Sequence, residues 1–233
     1  MIQKVKKTLS VDSAYGIRIT QNMIDSYNIY LEKHLISVYL AWKQVRAKLD
    51  KYKSDLRTVH YLLSIHDKSK YEDTEYIPYL IKYYAKESNS ESEAAYDEAW
   101  ERHYSSNPHH WRYWALGDTP KEIPNQYMIE MLLNWHAKSE RIPELTAYNQ
   151  YQEEKDSLIL NESTRSKVES LIDFFKEPVV IPTLPSQYFP IDPMSGSGVM
   201  TTLINNIDSE SDSEYVNDPR VDYAIVDKTN LDD

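Results

Sequence analysis

The chain has 233 residues, a formal charge of −11, 4 glycines and no cysteine. The missing cysteines exclude disulfides and thiolate metal sites, and the few glycines leave no Walker or dinucleotide loop to cradle phosphate. No apolar run reaches the roughly 20 residues of a membrane span, and the start Met-Ile-Gln-Lys lacks a signal-peptide core, so a soluble intracellular protein is expected.

The net charge hides a gradient. Residues 1–70 sum to +7, residues 71–145 to −7 and residues 146–233 to −11. Charge runs are usually solvated surface. An ordered separation along one chain suggests two partners of opposite sign, or one partner touched at two places.

Residues 1–19 are weakly periodic and read as a short strand or loose arm. Asn22 is a candidate cap for the next element. Ile24, Tyr27, Leu31, Leu35, Val38, Trp42, Val45 and Leu49 recur at steps of three and four, which predicts an amphipathic helix of about 28 residues, roughly 40 Å long. His34 lies beside its apolar stripe. Lys43, Arg46, Lys48, Lys51, Lys53 and Arg57 follow within fifteen residues. Two helices joined by such a turn suit non-specific contact with a duplex backbone, although a solvated face explains the same residues. Ser54 is the expected cap of a helix over 55–66.

Leu56, Val59, Leu63 and His66 share one face of that second helix. His66 stands where an apolar side chain is expected, and Asp67 follows at once. A core histidine with one hydrogen-bond partner is the plainer reading. Residues 75–86 predict a short helix with Pro78 in its first turn. Ser90-Glu-Ser-Glu93 reads as a capping box, opening a helix with Tyr96, Ala99, Trp100 and His103 on its inner face. After a loop over 105–124, Asn125 caps a helix with Met128, Met131, Leu132 and Trp135 inside and His136 pointing out to solvent. Ser163 or Asn161 caps a last helix holding Val168, Leu171, Ile172 and Phe175. Five prolines between 178 and 193 and Ser-Gly-Ser-Gly198 are linker chemistry. The acidic residues 205–233 have few large apolar groups and are expected to be disordered. The expected organisation is a basic helical segment 1–70, an acidic helical region 71–176 completing the core, and a linker with acidic tail 177–233.

Three separated motifs, His66-Asp-Lys-Ser-Lys-Tyr71, Asn107-Pro-His-His-Trp-Arg-Tyr-Trp114 and Glu130-Met-Leu-Leu-Asn-Trp135, resemble a family of phage and bacterial proteins of unassigned function that looks like a divergent relative of the HD fold. The resemblance spans roughly residues 30–138 and implies a mainly α, HD-like helical core. It also implies an Asp where this chain has Asn134, and a neutral amide weakens a cation site that relies on carboxylate charge. Two functions follow. In one, His34, His66, Asp67, His103, His109 and His110 surround a divalent metal such as Mn, Fe, Ni or Zn, water attacks a phosphoester, and Lys68 and Lys70 hold the phosphate.

In the other, which the sequence favours, the protein has no cofactor and is no enzyme. Its size, charge layout and phage-type motifs resemble the acidic early proteins of large lytic Bacillus phages that shut down host RNA polymerase as DNA mimics. Asp208, Glu210, Asp212 and Glu214 alternate, which in an extended chain puts them about 6.6 Å apart on one face. Glu87, Glu91, Glu93, Asp97, Glu98 and Glu101 extend the row. The expected partners are bacterial RNA polymerase, through its two largest subunits, and double-stranded DNA, with no membrane, in the cytoplasm of the infected host.

Overall fold

The computed structural model describes residues 12–117 and 119–180. The chain divides into two units between Ile181 and Pro182, and every described residue lies in the first. The mainly α expectation holds: the described residues form eight α-helices and one two-stranded hairpin. The hairpin pairs β1 (Ser13–Ala14) with β2 (Ile17–Arg18) in antiparallel register, and the 12–19 stretch therefore begins as a strand. The expected disordered tail and its row Asp208, Glu210, Asp212 and Glu214 lie outside the described residues.

Helix α1 (Gln21–Val45) opens on Thr20, whose hydroxyl accepts from the Met23 N–H at 3.3 Å. Thr20 caps the helix instead of Asn22 because its extended backbone aims the side chain back at the first turn. Met23, Ile24, Tyr27 and Leu31 from α1 pack with Tyr76, Tyr79, Leu80 and Ile81 of α3 (Asp73–Tyr84) and with Ala99 of α4 (Ser90–Ser106). Burial of each large side chain contributes about 1.5–3 kcal/mol. Pro78 is inside α3, past its first turn, so one carbonyl there goes without its intrahelical partner. The box at the head of α4 is formed by Asn89 and Ser92, one position earlier than expected.

After α1 the chain makes two short 3-10 turns, then α2 (Leu56–Ile65). Asp55 is the N-cap residue in place of Ser54, and its carboxylate accepts from the Asn125 side chain at 3.0 Å. A 3-10 turn over Lys68–Tyr71 leads into α3. The 70/71 division falls inside that turn, and α1 packs on both α3 and α6, so the basic and acidic halves form one body.

The short α5 (Trp111–Trp114) precedes α6 (Asn125–Ala137), α7 (Ala147–Glu154) and α8 (Glu162–Leu171). Asn161 caps α8, accepting from Ser163 N–H. Helix α6 is buried nearly all round: every residue from Met128 to Leu133 is buried, and so is His136 at 0 % exposure. The expected solvent-facing histidine is thus a correction. Its far face meets Phe175, ring centroids 5.3 Å apart. The end of this body is tied down, since Val179 N–H donates to Ser139 Oγ and the Gln44 amide donates to the Glu177 and Pro178 carbonyls. The packed body therefore runs past Lys176, into what composition marks as linker.

Candidate metal centre

Six segments deliver one cluster. His34 comes from α1. Helix α2 stops at Ile65, and His66 takes an extended conformation as its C-cap. Asp67 then adopts a left-handed φ of 55°. Asp is among the residues that tolerate this region, at a cost near 1–2 kcal/mol, and such outliers gather at functional sites. The turn folds Lys70 back so that Nζ lies 2.6 Å from Asp67 Oδ2. Helix α4 supplies His103 in its last turn, the α4–α5 connection supplies His109 and His110, α3 supplies Glu75 and α6 supplies Glu130.

The imidazoles converge on Asp67. Its Oδ2 lies 3.2 Å from His34 Nε2 and 3.8 Å from His66 Nε2, and its Oδ1 lies 3.4 Å from His103 Nε2 and 3.3 Å from His109 Nε2. His110 packs in behind, edge-on to His103 at 4.8 Å and tilted against His109 at 4.4 Å. Five of the seven histidines in the chain are therefore in one place, and two ligand groups share one carboxylate: His34, His66 and Asp67 on one side, His103, His109 and His110 on the other. Within each group the ligand atoms lie within 4.8 Å of one another.

The decisive detail is on the other ring nitrogens. His66 Nδ1 is 2.8 Å from Glu130 Oε1, and His103 Nδ1 is 2.9 Å from Glu75 Oε2. Ser69 donates to the same Glu75 oxygen at 3.0 Å and accepts from the Asn107 amide at 2.9 Å. A carboxylate on Nδ1–H fixes the tautomer that leaves Nε2 with a free lone pair. Nε2 of His34, His66, His103, His109 and His110, and Oδ1 of Asp67, are all buried without a hydrogen-bond partner. The contacts to Asp67 are close but badly aligned for hydrogen bonds. Buried polar atoms are ordinarily paired, so this convergence fits a cation. A third group uses His66, His109 and Glu130, and in it Glu130 already holds His66 Nδ1 at 2.8 Å.

The electrostatics agree with a site built for positive charge. Burial would raise the Asp67 carboxyl, but Lys70 and His66 beside it hold it well below its usual range. Burial opposes ionisation of Glu130 too, yet contacts from His109 and His66 lower it to about 2. Burial drives His34 down to about 4 despite Asp67. His109 goes the other way: burial alone would lower it, but Asp67 and Glu130 raise it to about 9.

All six residues proposed from the sequence as ligands are brought together. Asn134 is not needed to supply the acid, because Glu130, one turn earlier on α6, faces the cluster. The sequence names Glu130 only as the head of a motif and Glu75 not at all, because a helical Glu reads as solvated surface. The signal available was Glu130 in the middle of the unbroken buried run Met128–Leu133.

The basic residues are elsewhere: Lys43 near the end of α1, Arg46, Lys48, Lys51 and Lys53 in the turns, and Arg57 in α2, with Lys48, Lys51, Lys53 and Arg57 exposed. Of the acidic residues, Glu87, Glu91, Asp97, Glu98 and Glu101 are exposed, while Glu93 pairs with Lys82 at 2.5 Å.

A family described as a family of unknown function (DUF5662) matches residues 23–174. The chain belongs to DUF5662. No curated protein and no solved structure matches it. The DUF5662 segment contains every residue of the cluster and the whole basic turn, and it ends before the Asp208–Glu214 row. Among the described residues, no helix is long and apolar enough to cross a membrane.

Proposed function

We propose that the protein is a metal-dependent phosphohydrolase, with His34, His66, Asp67, His103, His109 and His110 holding one or two divalent cations. The observation that carries this reading is the set of five orphaned imidazole Nε2 atoms, four of them around Asp67 and that of His110 behind. Imidazole with carboxylate suits Mn, Fe, Ni or Zn. Such a cation polarises a phosphoryl oxygen and makes water a nucleophile at neutral pH. The chain does the rest. Asp67 presents one oxygen to each ligand group. Glu75 and Glu130 hold the His103 and His66 rings in orientation. Lys70, only partly exposed beside Asp67, is placed to hold a phosphoryl oxygen. Elemental analysis after loading with each of these metals, with hydrolysis of para-nitrophenyl phosphate, tests the reading. About one or two cations per chain, lost together with hydrolysis in Asp67→Asn, is the expected result. Protein that takes up none of the four metals overturns it.

A second reading is supported by the acidic face of α4. Glu91, Glu98 and Glu101 recur at helical spacing with Asp97 beside them, all exposed, and a rigid helix fixes charge spacing. We propose that this face, with the tail, occupies DNA-binding surface on bacterial RNA polymerase in the host cytoplasm, while the basic turn contacts DNA non-specifically. Competition between the protein and duplex DNA for polymerase is the test. Inhibition that survives both deletion of residues 200–233 and neutralisation of the α4 acids refutes mimicry.

A further inference from the structure

The two oxygens of Asp67 meet different surroundings. Oδ1 faces His103 Nε2 at 3.4 Å and His109 Nε2 at 3.3 Å. His110 completes that group, whose ligand atoms lie within 4.8 Å of one another. Two atoms that each bind one tetrahedral cation at about 2.1 Å stand about 3.4 Å apart, so these contacts have the spacing of shared ligands. Of the imidazoles on Oδ2, only His34, at 3.2 Å, comes as close; His66 stands off at 3.8 Å. Oδ2 is also already in use. Lys70 Nζ lies on it at 2.6 Å, and a short contact between two charged groups is among the stronger hydrogen bonds.

Lys70 is held at that oxygen. Its backbone N–H donates to the Asp67 carbonyl at 3.0 Å, closing the turn that brings the two side chains together. Its side chain is 14 % exposed, and its ammonium lies 6.0 Å from the Tyr79 ring centroid, within reach of a cation–π contact. A metal ion bound to Oδ2 at about 2.1 Å stands no more than about 5 Å from Nζ, and like charges at that range in a buried site repel strongly. A metal ion on Oδ1 shares the carboxylate's charge with the ammonium without sharing its oxygen. His34 and His66, whose Nε2 atoms are unpartnered, thus gather on an oxygen where a positive charge already sits.

We infer that the centre takes one divalent cation, bound by Asp67 Oδ1, His103, His109 and His110, and that the Lys70 ammonium holds Oδ2, beside His34, in place of a second cation. This rests on the metal-centre reading above and fixes its stoichiometry. The probe is Mn2+, titrated into the metal-free full chain and followed by electron paramagnetic resonance, which counts the free ion and reveals coupling between two Mn2+ that share a carboxylate. The wild type binds one Mn2+ per chain, uncoupled. Lys70→Met binds two, and they couple, because Met removes the charge while filling the same space. His110→Gln weakens the first Mn2+ by more than the roughly 10- to 100-fold that loss of an outer partner costs, and far more than His34→Gln does. These two variants test the assignment without touching Lys70, and circular dichroism checks that each is folded. Uptake of Fe, Ni or Zn in place of Mn2+ is counted by elemental analysis against the same stoichiometries. Two metal ions in the wild type overturn the inference, as does Lys70→Met that still binds one, or a first ion lost as much in His34→Gln as in His110→Gln. Those three results leave the metal centre standing, whereas protein that takes up no Mn, Fe, Ni or Zn overturns the centre and this inference with it.

Discussion

His136 makes folding depend on acidity in a way that one substitution can isolate. Its side chain is fully buried, its Nδ1 accepts from the Ala147 N–H at 3.3 Å, and its ring meets Phe175 edge-on. Burial lowers its pKa to about 4; the backbone at Glu177 pulls the other way and the charge of Lys48 adds to the lowering. In the unfolded chain the group titrates near 6.5. Above that value it is neutral in both states and contributes no pH dependence. Between 6.5 and 4 the unfolded chain binds the extra proton, so stability falls as pH falls. The full effect is about 3 kcal/mol, at 1.36 kcal/mol per pKa unit, and about 2.5 kcal/mol of it is spent by pH 4.5. Urea unfolding of the wild type and His136→Gln, both metal-free, at pH 7.5 and 4.5 measures it. The substitution costs roughly 1 kcal/mol at pH 7.5 through lost packing and a weaker hydrogen bond. At pH 4.5 the order reverses, because Gln escapes the proton penalty. Subtracting the two proteins cancels the carboxylates and the cluster histidines. Stability curves that stay parallel across this range refute the burial of a neutral imidazole.

Three further outcomes follow from the same structure. Glu130→Gln removes the charge on the carboxylate that holds His66 Nδ1 at 2.8 Å, and metal affinity measured by competition with a chelator falls 10- to 100-fold while the helical circular dichroism is kept. Thr20→Ala removes the hydroxyl that accepts from Met23 N–H and lowers stability by about 1 kcal/mol in urea, leaving metal affinity unchanged. Neutralising Lys43, Arg46, Lys48, Lys51, Lys53 and Arg57 weakens binding to all duplex sequences alike, because phosphate contacts carry no sequence information; a strong preference for one sequence in competition assays contradicts that assignment.

The helices were legible in order, because long amphipathic periods survive folding. Their ends were not. Thr20, Asn89 and Asp55 hold the cap positions assigned to neighbours, since several adjacent residues can cap and backbone geometry selects one. The histidines of the cluster were legible one by one, each as a polar residue on an apolar face or in a dense motif. Their carboxylate supports were hidden, because Glu75 and Glu130 acquire meaning only when α3 and α6 pack inward. His136 reads as exposed for a related reason. Periodicity assigns one inner face to a helix, but α6 is covered on a second side by the chain around Phe175 and Val179, far away in sequence.

Position 67 carries two demands that only one amino acid meets together. The backbone there is left-handed, which Asn and Gly accept as readily as Asp. The side chain must be a short carboxylate whose two oxygens face opposite groups of imidazoles. Glu keeps the charge but resists the backbone and is a methylene too long. Asn keeps the backbone and the shape but loses the charge, and Gly keeps only the backbone. Replacing this residue thus separates conformation from chemistry. Asn and Gly should report what the charge does in a chain that still turns correctly, and Glu should report the cost of the turn. In a library of all substitutions scored for folding alone, Asn and Gly should rank above Glu at this site, inverting the order expected of an ordinary acidic position.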